Sequence, residues 1–502
     1  MPAVTRTILR DLGLIIHIPG AMALFSVLIA LLAGERFAVF PFLFTGALAI
    51  LIGQTLYRLF QASARTRLPH AMVLASLSWL VVPLLGSLPF LLISTQVGEG
   101  PETLLAFREP WNALFEAFSG FTSTGLTVAV SPDELPRSLQ WWRSFMEWVG
   151  GIGVIVLMLI ILDPASDAYR LYRSEGREKK ILPNLSATVR IMGRIYFTYT
   201  LLAILLLRVL GVPWWEALNH GMTSISTGGF TITGESIAGY SVAVRLAMMA
   251  LMVLGAISFA THFRLLFERK WLESWQGLQP RALLLLLIGG TLFLLLENRW
   301  FLEEWLWMDS MFQWTSALTT SGFSTATIAS WSPTAQLLLT LAMVIGGSAG
   351  STAGGIKLNR ITVIYKGLIW RFKRTTSLPH ELIRYEVDGE VLTEGEIGRR
   401  IEAAGILVAL WFLLLLLGVI ALLHMVPPGT PLNEIVFEAS SALSSVGLST
   451  GITAPELAWQ GKLTLIMLMW MGRLEIIPVF ILFTWPVGRM RDAVEQRMPI
   501  GD

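Results

Sequence analysis

Cysteine is absent from this 502-residue chain, which removes disulfide frameworks, thiolate metal sites and cysteine nucleophiles together. Charge is scarce: Asp, Glu, Lys and Arg make up 14% of the residues, and 37 basic residues nearly cancel 35 acidic ones. No net field remains to hold nucleic acid or another polyanion. Enzyme signatures are also missing. Gly346-Gly347-Ser348-Ala349-Gly350 fits the G-x-S-x-G spelling, but the strand, acid and histidine of a nucleophile elbow do not accompany it. His380-Glu381-Leu382-Ile383-Arg384 carries Arg where a zinc helix needs its second His, and Gly350 to Lys357 lacks a phosphate-loop ending. The six histidines, His17, His70, His220, His262, His380 and His424, are dispersed without ligand spacing; packing is the reading for His220. No enzyme and no cofactor are expected, and a membrane-embedded hydrolase is the distant alternative.

What the chain has instead is apolar sequence, 54% hydrophobic residues with a mean hydropathy of +0.64. A soluble core cannot absorb that much, so a lipid bilayer is the natural solvent. Apolar runs fall near 12–33, 38–57, 71–94, 144–162, 195–212, 243–263, 282–296, 334–369, 403–426 and 462–485. That predicts an all-α membrane protein of about ten spans. The first run, behind Arg6 and Arg10, reads as a retained span because signal-peptide cores are shorter. The run 334–369 is too long and too glycine-rich for one plain helix and should break at 346–355.

Basic residues in short loops mark the cytoplasmic side, which puts both termini inside. Arg58, Arg65 and Arg67 fall there, with Arg170 to Lys180, Arg264 to Arg281, Lys357 to Arg400, and Arg489, Arg491 and Arg497. The outer loops carry acids, among them Glu99, Glu102, Asp133, Glu134, Glu235, Glu303, Glu304, Asp309, Glu434 and Glu456. They form a solvated rim or a mouth that attracts cations.

Four outer segments between spans are partly apolar but too short to cross, and they repeat. Each is a short amphipathic helix running into a hydroxyl-rich stretch and an aligned glycine: Ser123-Thr124-Gly125, Ser226-Thr227-Gly228, Thr320-Ser321-Gly322 and Ser445-Val446-Gly447. About 12 helical residues cover only about 18 Å, so such a helix dips into the bilayer and returns. Irregular backbone at that depth must be buried in protein or line a watery path. A dehydrating alkali cation needs a ring of oxygen dipoles, which backbone carbonyls supply where glycine permits strained dihedrals. The half-helices would aim their negative ends at the ion. The units are expected at 1–69 (two N-terminal spans), 70–187, 188–279, 280–399 and 400–502.

These residues resemble the Trk/Ktr/HKT superfamily of potassium transporters, and within it the bacterial TrkH-like branch, over nearly the whole chain. The resemblance implies K⁺ as the transported ion, bound at the twelve filter residues above, with no resident cofactor. Gly346, Gly347, Ser348, Gly350, Ser351, Gly354 and Gly355 resemble the family's intramembrane gating loop. Arg473, within Met471-Gly472-Arg473-Leu474-Glu475, resembles its pore arginine, and an arginine in an apolar helix is itself a functional candidate; pairing with Glu475 is the structural alternative. Val446 departs from the pattern, since the other three repeats carry a hydroxyl there. The resemblance further implies a homodimer in the bacterial inner (plasma) membrane, in contact with lipid and with a cytosolic nucleotide-binding regulatory subunit (TrkA-like). No dinucleotide-binding unit occurs in this chain. A Na⁺-permeable or cation-coupled (H⁺ or Na⁺) K⁺ symporter is the nearest alternative; serine at the first filter position is associated with Na⁺ transport in the family, and Gly125 favours K⁺. The loop at 346–355 is expected to move at little energetic cost.

Overall fold

The computed structural model describes residues 3–60, 68–153, 185–271, 273, 277–376, 385–387 and 390–484. The tail of the 144–162 run and the basic residues Arg170 to Lys180 lie outside the described residues. So do Arg65, Arg67, His380 to Arg384, Arg489, Arg491 and Arg497.

Among the described residues, six helices are long and apolar enough to cross a membrane: Ala3–Leu32, Arg36–Leu59, Leu68–Gln96, Ala187–Val209, Leu278–Leu302 and Glu394–Leu423. Their outward faces are bare hydrocarbon. On Leu278–Leu302, Leu285 is 71% exposed and Phe293 68%, with Leu284, Ile288 and Leu292 beside them, a surface that only lipid covers without penalty. The chain is therefore a multi-pass membrane protein. One antiparallel ribbon, Tyr385–Val387 with Glu390–Leu392, interrupts the helices.

Three runs expected to cross as single helices break instead. Val242–Ala256 and Phe259–Leu266 meet at 103°, because Ser258 caps a new helix with its hydroxyl on the Thr261 N–H at 3.1 Å. Trp459–Arg473 bends by 108° into Ile477–Thr484 through Glu475 and Ile476, at φ of 55° and 72°. The helix Arg137–Ile152 stops at Gly153, φ 93°. The fourth break is the anticipated one: Pro333–Ile345 ends at Gly346 and helix resumes at Leu358.

Four short helices, Pro110–Thr122, Trp214–Ile225, Trp307–Leu318 and Leu432–Ser444, have 13, 12, 12 and 13 residues. Proline opens the first and directly precedes the second and fourth, where its missing N–H costs nothing. Each half-helix packs against the longer helix that follows it. The helix Leu68–Gly86 is keyed to two of those by buried indoles, Trp142 donating to Gly86 O at 3.0 Å and Trp470 to Ser76 O at 3.2 Å.

Candidate functional site

All four half-helices end in the same turn. A hydroxyl residue takes the left-handed conformation, with φ of 56° at Ser123, 50° at Thr227, 53° at Thr320 and 52° at Ser445. In each case its N–H returns three residues and the next N–H returns five. In the first, Ser123 N reaches Gly120 O and Thr124 N reaches Ser119 O, both at 2.9 Å; the pairs at 227/228, 320/321 and 445/446 repeat this. That is the Schellman cap, here with Ser or Thr where glycine is usual. Two residues beyond the hydroxyl residue stands a glycine with positive φ: Gly125 (90°), Gly229 (92°), Gly322 (78°) and Gly447 (98°).

The second unit is thereby shifted by one residue from the register expected from sequence. Its turn is Thr227-Gly228-Gly229, so Gly229 matches the other three glycines and Ser226 precedes the turn. Gly228 takes the place of Thr124, Ser321 and Val446. A hydroxyl therefore occupies that place in two units, and Val446 is not the sole departure.

The four turns meet in chain order and close. A Cβ on Gly125 would lie 2.1 Å from Gly228 O, one on Gly229 2.5 Å from Ser321 O, one on Gly322 2.1 Å from Val446 O, and one on Gly447 2.3 Å from Thr124 O. No side chain fits between neighbouring turns, and peptide oxygens form the meeting surface. Ser123 Oγ adds a bond to Ser226 O at 3.0 Å.

Buried polar side chains, not anticipated from sequence, hold the strands beyond the ring. Seven positions before each left-handed residue stand Glu116, His220, Gln313 and Glu438. Glu116 accepts from Thr127 Oγ1 at 2.8 Å and Val128 N at 3.0 Å; Glu438 accepts from Ser449 Oγ at 2.8 Å, Thr450 N at 3.2 Å and Thr453 N at 3.0 Å. Gln313 lies 2.7 Å from Ser324 Oγ. His220 instead faces Tyr240 Oη at 3.5 Å. Glu116 also pairs with Arg143 at 2.7 Å, both fully buried. Carboxylates in apolar stretches were the available signal. A cavity of about 810 Å³ gathers Glu99, Asp133 and Glu134 with Glu35, Glu216 and Trp215.

The segment 346–357 packs on the ends of three half-helices. Its ends touch, since a Cβ on Gly346 would lie 2.2 Å from Gly354 O. Thr352 Oγ1 lies 3.1 Å from Ile225 O, Gly354 N donates to Thr320 Oγ1 at 2.7 Å, and Gly355 N to Ser444 O at 3.0 Å. Ser348 N and Thr352 N donate to Ala256 O and Gly255 O at 3.0 and 3.2 Å; Ala349 N donates to Gln279 Oε1 at 2.9 Å, and Gly350 O accepts from Phe259 N at 3.0 Å. Six backbone attachments at about 0.5–1.5 kcal/mol each make displacement cost about 3–9 kcal/mol.

Arg473 reaches this loop, not Glu475. Its guanidinium donates to Gly150 O, to Gly151 O at 3.2 Å and to Thr352 O at 3.5 Å, and lies 5.2 Å from the Trp79 ring. Glu475 pairs with Lys357 at 2.8 Å and with Arg360. A further feature missed from sequence is close backbone approach at the returning helices: a Cβ on Gly472 would lie 1.9 Å from Leu443 O.

A family model described as TrkH, cation transport protein, matches residues 39–492. An uncharacterized cation transporter of Methanocaldococcus jannaschii is 31% identical over 478 residues, covering 95% of this chain and 94% of that one. The Trk system potassium uptake protein TrkH of Halomonas elongata is 31% identical over 493 residues, covering 95% and 98%. The crystal structure of the potassium transporter TrkH from Vibrio parahaemolyticus superposes with a TM-score of 0.81 at 26% identity, covering 96% of this chain and 98% of that one.

Proposed function

This chain belongs to the TrkH family of cation transport proteins, and from that premise we propose that it takes up potassium ions through the closed ring of four half-helix turns. The chain is a transporter, not an enzyme. The observation that carries the reading is the ring itself: four identical caps, each followed by a positive-φ glycine, touching in chain order through peptide oxygens. Such oxygens replace the hydration shell of an alkali cation, and four half-helix C-termini add negative potential where charge is least solvated. The relatives' names supply the ion, since the Halomonas and Vibrio proteins are a potassium uptake protein and a potassium transporter.

In this reading the ring is a selectivity filter of residues 123–125, 227–229, 320–322 and 445–447. The segment 346–357 is its gate and Arg473 the charge that ties gate to pore wall. The acids around Glu99 and Asp133 enrich cations at the outer mouth. The chain works as a homodimer in a bacterial inner membrane with both termini cytoplasmic, and a separate cytosolic nucleotide-binding subunit drives the gate. The test is K⁺ or Rb⁺ against Na⁺ uptake in transport-deficient cells and in proteoliposomes. The parent should prefer K⁺ and Rb⁺, and Gly125→Ser should narrow the preference. Equal K⁺ and Na⁺ permeation in the parent refutes the reading.

A further inference from the structure

Gly228 presents a puzzle that conformation does not solve. Its φ is not positive, and its counterparts Thr124, Ser321 and Val446 carry side chains. What excludes a side chain is Glu147: a Cβ on Gly228 would lie 2.3 Å from Glu147 Oε2 and 2.4 Å from its Cδ. Glu147 stands on Arg137–Ile152, the helix returning from the first half-helix, and is fully buried. Both of its oxygens accept the Phe230 N–H, at 3.1 and 3.0 Å. One turn earlier on the same helix, Arg143 donates to Thr231 O at 2.7 Å and lies 4.1 Å from the centre of the Phe230 ring. Arg143 also binds Glu116 and, at 3.0 Å, Thr127 Oγ1.

The second unit is thus braced differently from its neighbours. Glu116, Gln313 and Glu438 each hold the strand that follows their own half-helix, whereas the second half-helix offers His220, which faces Tyr240. The strand Phe230-Thr231 is held instead from the first unit. The geometry points to Glu147 as a positioning residue for ion selectivity: its carboxylate fixes Gly228-Gly229-Phe230, and so one quarter of the ring, in place of the missing brace. This rests on the ring being the filter proposed above. A buried carboxyl with both oxygens on one N–H holds that strand in place, and without it the second turn relaxes toward a looser cage that discriminates less between cations of different size.

The test uses the purified full chain in proteoliposomes, with reversal potentials under K⁺/Na⁺ gradients. The permeability ratio is read only on protein that elutes as a folded species. Glu147→Ala removes both acceptor oxygens; the K⁺/Na⁺ ratio should fall by up to about tenfold, the full net worth of one hydrogen bond, with Rb⁺ flux retained. Should that variant fail to fold, Glu147→Asp, which draws the carboxyl back by one methylene from the Phe230 N–H, takes its place, with a fall in the same direction expected. A folded Glu147→Ala protein with the parental ratio, or an unchanged ratio in Glu147→Asp, overturns the assignment while leaving the filter reading intact. A parent without K⁺ preference overturns both.

Discussion

Thr352 is the residue through which the gate can be tested one bond at a time. Its hydroxyl lies 2.9 Å from Gly255 O and 3.1 Å from Ile225 O, and Thr227 Oγ1, itself 2.7 Å from Ser226 O, lies 3.2 Å from it. One hydroxyl carries one hydrogen, and that of Thr227 has a shorter acceptor in Ser226 O, so the attachment amounts to one bond donated by Thr352. Thr352→Val therefore removes about 0.5–1.5 kcal/mol while keeping the branched shape. If this bond exists only while the segment 346–357 is docked, the displaced-to-docked ratio rises by about 2- to 13-fold. Rb⁺ flux into proteoliposomes containing this chain alone should rise accordingly, with the K⁺/Na⁺ ratio unchanged and Tm measured alongside. Unchanged flux with a lowered Tm refutes the reasoning, because Thr352 would then belong to a helix-packing seam.

Arg473→Ala withdraws the donors from Gly150, Gly151 and Thr352 and should raise flux or alter its voltage dependence in planar-bilayer recordings. Unchanged currents with a less stable protein would make the arginine a structural clamp. Gly472→Ala places a Cβ 1.9 Å from the Leu443 carbonyl oxygen, backbone that cannot swing aside. The overpacking should cost about 1–3 kcal/mol, visible as a lower Tm in detergent; full tolerance would contradict the close approach.

The repeat was legible because its parts are local. A hydroxyl residue, one spacer and a glycine at the end of a short apolar helix make a cap that composition alone advertises. The register of the second copy was not, since Ser226-Thr227-Gly228-Gly229 offers two alignments and only the dihedrals separate them. Glycine there serves two purposes, backbone freedom at Gly229 and room for a carboxylate at Gly228, and sequence cannot tell one from the other. The bends at Ile257 and Glu475 were missed for a different reason. Each carries a local signal that was not read, Ser258 capping the new helix in one and Pro478 in the first turn of the new helix in the other; tertiary partners add to these, loop N–H groups on Gly255 O and Ala256 O in the first, and Lys357 and Arg360 on Glu475 in the second. Glu116, Glu147 and Glu438 were visible as acids in apolar surroundings, yet what each one grips lies across a turn or in another unit.

Four left-handed Ser and Thr residues are a costly way to end a helix when glycine would do it without strain. The hydroxyls of two of them are the atoms that the segment 346–357 meets, Thr227 Oγ1 on Thr352 and Thr320 Oγ1 under the Gly354 N–H. Ring and loop therefore share single atoms, and on the proposed reading their equilibria are linked: an ion that tightens the turns must change the affinity of the loop for its dock, and undocking must change the affinity for the ion by the same factor. On that reading, permeant-ion species is itself a gating variable of this protein.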